Sequence, residues 1–216
     1  MGMKIAPPTL GETRPGSELT ERARRALLLR DSVEGLAFAR DTLEDVEGER
    51  LDISQCRFTR CRIAPGRIKW LSFTDCVFEN CDFSGALLRS ASLWRVELRD
   101  CTAAGADFSE SSLQSVLFQD AMLRYANFSR AKFHPARFES CCLDGAAFYE
   151  AKPKALAFAG GSLAEAELGG MLLKGIDLRS TDIRGIRLTG GELKGAIVSP
   201  VQAMELARLL GVEIRE

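Results

Sequence analysis

Every fifth residue from Ile53 to Leu193 is large and apolar, with Ala103 and Pro153 as the exceptions. We call each of these apolar residues the centre of its five-residue unit. A second column of small residues, mostly alanine and cysteine, lies two positions before the centres. The other three positions of each five are mostly polar or charged. A period of five matches neither an α-helix nor a β-strand. The pattern predicts a backbone that turns a corner after every five residues, so that four sides complete one coil.

Stacked coils of this kind share strand-like hydrogen bonds at a spacing of about 4.8 Å, and the apolar centres point into a narrow interior. Phenylalanines recur at the spacing of one coil, in one column as Phe58, Phe78, Phe118, Phe138 and Phe158 and in another as Phe108, Phe128 and Phe148. Six of the seven cysteines fall in the small column. A buried thiol behaves as a small hydrophobe, so we predict that these cysteines pack the interior rather than bind a metal or carry redox chemistry.

These columns predict an all-β solenoid over residues 36–198, with short capping helices at both termini, because a solenoid must cover its open ends. An N-terminal tail and a capping helix are expected in residues 1–35. The helix is predicted over residues 17–30 with Ser17 as its N-cap, and its apolar stripe contains Leu19, Ala23, Ala26 and Leu27. Pro153 occupies a centre position without an N–H, so a local irregularity is expected there.

Residues 199–216 are predicted to form a C-terminal helix and a short strand that act as a dimerisation module. Ser199 and Pro200 fit an N-cap and the first helical position, and Gly211 fits the helix end. The stripe expected to close the barrel contains Ala203, Leu206, Ala207 and Leu210. The alternation at 212–214 is typical of an edge strand that could pair with its own copy. The predicted interface of a two-fold dimer contains Val201, Met204, Leu209, Val212 and Ile214.

The repeat resembles the pentapeptide-repeat family, whose motif is A(D/N)LXX. Ala106-Asp107-Phe108 and Ala126-Asn127-Phe128 match this motif closely, and the resemblance covers roughly residues 36–198. It implies a right-handed quadrilateral β-helix.

Two segments are also similar to the bacterial quinolone-resistance branch of that family: ELRDCTAAGADF at 97–108, and the ending at 182–214. This resemblance implies a cytoplasmic homodimer, joined at its C-terminal helices, that binds DNA gyrase or topoisomerase IV. In that branch the rod is thought to imitate duplex DNA.

The charge pattern agrees only in part with DNA imitation. The formal net charge is −1, and cations and carboxylates nearly balance along the repeat. A basic stripe is predicted on one side, from Lys132, Lys152, Lys154, Lys174 and Lys194, and a diluted acidic face on the opposite side and its corner. The predicted partner surface contains Trp70, Trp94, Asp82, Asp100 and Asp120. Topoisomerase binding is the first hypothesis, a scaffold for another protein is the alternative, and direct nucleic-acid binding ranks last.

No catalytic motif is recognised, so we expect a protein that is not an enzyme and needs no cofactor or metal. The single histidine, His134, falls at an outward position and is interpreted as a surface residue. The longest apolar runs fall short of the roughly 20 residues of a membrane span. The first residues have no hydrophobic signal core, so we expect a cytoplasmic protein with no membrane partner.

Overall fold

A computed structural model describes residues 3–209 and 211–215. Two helices flank a series of short strands: α1 is Leu19–Leu29 and α2 is Pro200–Leu209. The strands are β1 Arg14–Pro15, β2 Ser32–Glu34, β3 Leu36–Ala39, β4 Thr42–Glu44, β5 Gly48–Ser54, β6 Arg57–Thr59, β7 Arg62–Ala64, β8 Ile68–Glu79, β9 Ser92–Arg99, β10 Ser112–Gln119, β11 Lys132–Phe133, β12 Ala136–Glu139, β13 Lys152–Pro153 and β14 Leu156–Ala159. A 3₁₀ turn spans Gly191–Leu193.

All strand pairs are parallel. From β2 onwards each strand residue lies beside the residue one coil of 20 positions away, whereas β1 pairs with β3 as Arg14↔Leu36. The register begins at Ser32↔Asp52 and still holds at Asp177↔Ile197. We name the four sides of the coil by their centres. The first side contains Phe73 and its equivalents, the second Phe78, the third Phe83 and the fourth Leu88. The predicted β-solenoid is confirmed.

The interior contains two stacked phenylalanine columns on the second and fourth sides. Ring centroids of Phe118 and Phe138 are 4.7 Å apart at 12°, and those of Phe128 and Phe148 are 5.1 Å apart at 15°. Rings of the two columns also meet edge-on, as Phe128 and Phe138 do at 5.5 Å. Offset stacks and edge contacts are the favoured arrangements of aromatic rings. The period of five therefore places stacked phenylalanines along the interior, with Leu98 interrupting the second-side column between Phe78 and Phe118.

The corners of the coil use left-handed backbone conformations. Residues two positions after a centre have positive φ, including Ser90 at 58°, Asp100 at 51° and Gly185 at 68°. This conformation costs an ordinary L-residue roughly 1–2 kcal/mol, whereas glycine adopts it freely. Many corners nevertheless carry large polar residues, which project outward from the rod.

The N-terminal end differs from the sequence prediction in two respects. The first rung begins at Ser32, ahead of the predicted boundary at residue 36, because Val33 already occupies a buried centre position. Ser17 is not the N-cap of α1: that position is Glu18, in a left-handed conformation with no capping side chain of its own. Asp41 of the first coil instead accepts a hydrogen bond from the Leu19 N–H at 3.2 Å.

Helix α1 closes the N-terminal opening with the predicted stripe. Leu19, Ala23 and Ala26 are buried, and Leu27 packs at the edge of the core. Leu27 also explains why Gly48 interrupts the apolar column. A Cβ at Gly48 would lie 2.6 Å from a methyl carbon of Leu27, so the helix needs a glycine there.

The irregularity predicted at Pro153 is confirmed. One coil earlier, His134 N–H donates to the Leu113 carbonyl at 2.7 Å. After Pro153 the equivalent Lys154 N–H turns to Lys152, and the next residue, Ala155, reaches the Phe133 carbonyl at 3.3 Å. Strand β13 is also the last strand of the first side. A proline cannot donate to the next rung, so the continuous ladder stops there.

Helix α2 closes the other end. Ser199 and Gln202 form a reciprocal capping pair, with Ser199 N–H donating to Gln202 Oε1 at 2.8 Å and Gln202 N–H donating to Ser199 Oγ at 3.3 Å. Gln202 Nε2 also donates to the carbonyls of Leu178 and Thr181 at 2.8 and 2.9 Å. The helix start at Pro200 and the left-handed Gly211 after it agree with the prediction.

The predicted closing stripe of α2 is partly wrong. Leu206 is buried, but Ala203 is exposed, and Gln202 takes the inward place because its amide satisfies two carbonyls of the last coil. Leu210 lies outside the described residues. The short strand predicted at 212–214 does not form within one chain, since residues 211–215 have no hydrogen-bonded neighbouring strand. Its pairing with a second copy stays a prediction.

A buried carboxylate ties the last coils together. Glu192 accepts hydrogen bonds from the backbone N–H groups of Gly170 at 2.9 Å, Thr189 at 3.1 Å and Gly190 at 2.9 Å, and from the Thr189 hydroxyl. Burial alone would raise the pKa of Glu192, but these donors outweigh it and lower the pKa to about 2. The sequence pattern gives no sign of this residue.

Six cysteines occupy the predicted inward positions and are buried: Cys56, Cys61, Cys76, Cys81, Cys101 and Cys141. Burial raises the pKa of Cys56 and of Cys141 to about 11. The Cys56 and Cys141 thiols therefore stay protonated, and all six cysteines pack as small core residues. Cys142 is half-buried and accepts a hydrogen bond from Arg124 Nε at 3.1 Å.

Candidate functional site

Trp70 lies at the corner between the fourth and first sides, beside α1. Its side chain is 54% exposed, and Lys69 Nζ lies 4.2 Å from the ring centroid. The ring lines a surface groove of about 1420 Å³ between the solenoid and α1, which also contains Leu28, Arg50 and Ser90. An exposed indole at the edge of a groove is a typical anchor for a protein partner.

Trp94 lies on the first side, one coil further along, and does not line that groove. It is 42% exposed, and the Arg95 guanidinium lies 3.6 Å from its ring centroid. Arg95 forms a bidentate pair with the buried Asp75, which also accepts the Thr9 N–H at 2.7 Å. The Arg95 guanidinium lowers the pKa of Asp75. This chain of contacts fixes the indole and attaches the N-terminal segment to the rod.

The three acidic residues of the predicted partner surface lie elsewhere. Asp82, on the third side, is paired with Arg62 and accepts the Ser84 N–H at 2.8 Å. Its burial would raise the pKa, but the Ser84 hydrogen bonds and Arg62 lower it. Asp100 and Asp120 are exposed at left-handed corners between the second and third sides, one coil apart. Among the described residues these two carboxylates take part in no ion pair.

The five predicted partner residues therefore do not form one surface. Trp70 and Trp94 belong to the first side and its corner, whereas Asp82, Asp100 and Asp120 belong to the third side and the corner before it. The sequence pattern assigns each residue to a column correctly, but residues of columns on different sides of a rod cannot contact one partner face together.

Arginine neutralises most of the acidic residues along the rod. Many pairs connect neighbouring coils, such as Arg57–Glu79 at 3.1 Å, Arg130–Glu150 at 2.9 Å and Arg187–Glu167 at 3.0 Å. Each exposed pair contributes little to stability. Together they remove most of the negative field that an imitation of duplex DNA requires.

The C-terminal end carries the exposed apolar cluster that the sequence predicts as a dimer interface. Gln202 and Leu206 face the barrel, so the opposite surface of α2 and the segment after it face outward. The residues of this C-terminal apolar cluster are between 45% and 61% exposed: Val201, Met204, Leu209, Val212 and Ile214. An apolar surface of this kind is typical of an interface between subunits.

Two exposed tyrosines are absent from the partner surface that the sequence predicts. Tyr125 is 71% exposed, and its ring covers Gly145 of the next coil, where a Cβ would lie 2.6 Å from the ring. Tyr149 lies in the same way over Gly169, with 3.4 Å to a Cβ there. The signal was present in the sequence, since each tyrosine is followed by a glycine 20 positions later.

Neither α1 nor α2 has the length and apolarity needed to cross a bilayer, and this holds for the whole part of the chain that the structure describes.

Fold and register together define a parallel β-solenoid with five-residue sides. Residues 71–148 match the family model described as a pentapeptide repeat region. No curated protein matches the sequence.

Solved structures with this fold include a trypsin-treated form of QnrB1, a plasmid-mediated fluoroquinolone resistance protein. It is 22% identical over 86% of this chain and 90% of its own, with a TM-score of 0.36. Another is HetL, a pentapeptide repeat protein involved in heterocyst differentiation regulation in the cyanobacterium Nostoc. It is 19% identical over 81% of this chain and 94% of its own, with a TM-score of 0.25.

Proposed function

We propose that this protein is a non-enzymatic cytoplasmic rod that dimerises through its C-terminal end and binds a type II topoisomerase, DNA gyrase or topoisomerase IV. The observation that carries the proposal is the C-terminal apolar cluster, which α2 presents away from the barrel that it closes. The resemblance of residues 97–108 and 182–214 to the quinolone-resistance branch supports the choice of partner.

The dimensions of the dimer suit a substitute for duplex DNA. Rungs from Val33 to Leu193 at about 4.8 Å give a rod of roughly 38 Å. Two rods joined end to end would span roughly 76 Å, which is the length of about 22 base pairs.

Dimerisation is tested by light scattering in solution. The wild-type protein is expected to have the mass of a dimer at micromolar concentration. Met204→Glu combined with Val212→Glu places two charges in the C-terminal apolar cluster and should give a monomer. A wild-type monomer at that concentration would contradict the dimer.

Topoisomerase binding is tested by gyrase supercoiling, with and without a fluoroquinolone. The proposal expects the wild-type protein to alter supercoiling or to protect it from the drug. Asp100→Asn with Asp120→Asn should weaken the effect, because these are the acids of the predicted surface that lack arginine partners. Glu34→Gln with Glu165→Gln is the control, as it removes the same charge from exposed sites elsewhere.

The alternative is a scaffold for a different protein partner, and two observations favour it. The acidic residues are largely neutralised by arginine, and exposed aromatic residues lie away from the acidic corner, at Trp70, Tyr125 and Tyr149. Absence of any effect on gyrase at tens of micromolar dimer, with the dimer intact, would reject the topoisomerase and leave the scaffold.

A further inference from the structure

The first side of the rod carries a stripe of lysines. Between Ser92 and Gly195 the one carboxylate on this side is Glu192, which is buried and accepts backbone N–H groups of the last coils. The outward positions of this side contain five exposed lysines, which we call the lysine stripe: Lys132, Lys152, Lys154, Lys174 and Lys194.

The register brings these charges close together. Lys132 and Lys152 are direct partners on β11 and β13. Lys154, Lys174 and Lys194 occupy the same position of successive coils, at intervals of about 4.8 Å. Like charges directly opposite each other on neighbouring strands are destabilising. A bound polyanion would relieve this repulsion.

Carboxylates at the edges of the stripe are already paired with arginine. On the fourth side, Arg130 holds Glu150 at 2.9 Å and Arg89 holds Glu110 at 2.6 Å. On the second side, Arg179 holds Asp177 at 2.7 Å. Ion pairs among the described residues all use arginine, and none uses a lysine of the stripe. Arg130 and, to a smaller extent, Lys152 lower the pKa of Glu150, so this carboxylate offsets part of the charge at Lys152, while the other lysines of the stripe form no ion pair among the described residues.

His134 lies within the stripe, and the positive charge of its lysine neighbours affects its pKa. Its own burial and the neighbouring Lys154 and Lys132 lower its pKa. The imidazole is therefore neutral at neutral pH and leaves the lysines as the charged groups of this side.

We propose that the lysine stripe binds the phosphodiester backbone of single-stranded nucleic acid. Lysine is a strongly hydrated point charge that suits phosphate, whereas protein interfaces are depleted in lysine and rely on aromatic and arginine anchors. A side whose charged groups are mainly lysines thus fits a polyphosphate chain better than an acidic protein segment, although Leu172 and Trp94 are also exposed on it.

Trp94 favours a single strand over a duplex. It occupies the same outward column as Lys154, Lys174 and Lys194, and Arg95 fixes its ring from one face. Single-strand binding surfaces combine a basic track with exposed aromatic rings on which unpaired bases stack. A duplex offers no base face to this indole. From Trp94 to Lys194 the track is about 24 Å long.

This site is separate from the acidic corner assigned to the topoisomerase. Asp100 and Asp120 project between the second and third sides, away from the lysine stripe. Loss of one binding activity therefore leaves the other measurable.

The test is fluorescence anisotropy with a labelled oligothymidylate of about 16 nucleotides. Five phosphate contacts predict a slope of log affinity against log salt near −3.5, which is about a 100-fold loss of affinity between 50 and 200 mM salt. Changing Lys132, Lys152, Lys154 and Lys174 to Gln should reduce the slope to about −0.7 and weaken binding at 50 mM salt at least tenfold. Trp94→Ala should weaken binding several-fold with no change of slope.

The control removes four cations of other sides, by changing Arg25, Arg40, Arg60 and Arg67 to Gln. These arginines are exposed, so both variants should fold, which circular dichroism verifies. No binding by the wild-type protein at 50 mM salt would overturn the proposal, as would an equal loss in the control. A duplex of the same length that binds more tightly, or poly-glutamate that displaces the strand at equal charge, would also overturn it.

Discussion

The coils over residues 32–159 and those over residues 160–198 keep one register by different means. In the first region, extended strands form, the core contains stacked phenylalanines, and most corners are non-glycine residues with positive φ. In the described residues 160–198 no extended strand forms, the core contains leucine, isoleucine and methionine, and the left-handed corners are glycines apart from Glu165. The first region thus combines non-glycine corners, which are strained at positive φ, with a core of large stacked rings. The second region combines glycine corners, which are unstrained, with a core of smaller side chains. The comparison indicates that core stacking offsets the backbone strain.

Phe128→Ala should give the largest effect, a loss of about 3–5 kcal/mol in the free energy of unfolding. Phe128 stacks on Phe108 at 5.0 Å and on Phe148 at 5.1 Å. Leu168→Ala is the matched change on the same side in the second region, and about 2–3 kcal/mol is expected there. Urea titration measures both. Equal losses of unfolding free energy in the two variants would mean that the aromatic core of the first region is not more stabilising than the aliphatic core of the second.

Glu192→Gln should destabilise the second region by up to about 3 kcal/mol at neutral pH. The folded pKa of about 2 lies below the ordinary value of 4.5, so the carboxylate stabilises the fold above pH 4.5. That contribution is lost as the pH falls from 4.5 towards 2. The difference in unfolding free energy between wild type and variant should therefore shrink over this window. A difference that is independent of pH would show that the charge is not the cause.

Pro153→Leu should stabilise the protein by about 1 kcal/mol, because it restores a donor for the next rung and an apolar centre. The new N–H would point towards the Leu172 carbonyl, as equivalent centres do in regular coils. Pro153→Ala restores only the donor and separates the two contributions. Urea midpoints of the three proteins measure the effect. No gain in either variant would mean that the missing donor and apolar centre at Pro153 are not what ends the strand ladder of the first side.

Corner substitutions should give the smallest effects. Gly175→Ala meets no atom within 4 Å but places an L-residue at φ 77°, so a loss of about 1 kcal/mol is expected. The reverse change in the first region, Ser90→Gly at φ 58°, should be within about 0.5 kcal/mol of neutral, because relief of strain is offset by added chain entropy. Thermal denaturation measures both. A large loss at Ser90 would contradict the view that this corner is strained.

The sequence predicts this fold because one inward position in five carries most of the core. In a solenoid the same five-residue pattern gives the same local structure in every unit. Phe118 and Phe138 stack because each follows that rule. Features that depend on contacts between unlike elements escaped prediction. Gly48 is explained only once Leu27 packs over it, the cap of α1 comes from Asp41, and Gln202 replaces an alanine as the inward residue of α2.

The candidate site was less predictable for a similar reason. Period alone placed the lysine stripe on one side, but whether a charge remains free depends on its neighbours. Asp82 has Arg62 beside it, while Asp100 and Asp120 have no arginine partner. Long charged side chains form ion pairs with residues of neighbouring coils. The five-residue pattern does not specify which of these pairs form.

The fixed spacing of 20 residues between equivalent positions restricts how this chain can change in length. Insertion of one whole coil would lengthen the rod and leave every surface facing its original direction. Insertion of a single five-residue unit between Trp94 and Lys132 would keep an apolar residue at each inward position, but it would rotate all later surfaces by a quarter turn. The later phenylalanines would then lie on other sides, and the lysine stripe would be separated from Trp94. Growth by whole coils is therefore the one change of length that conserves both the interior and the layout of the exterior.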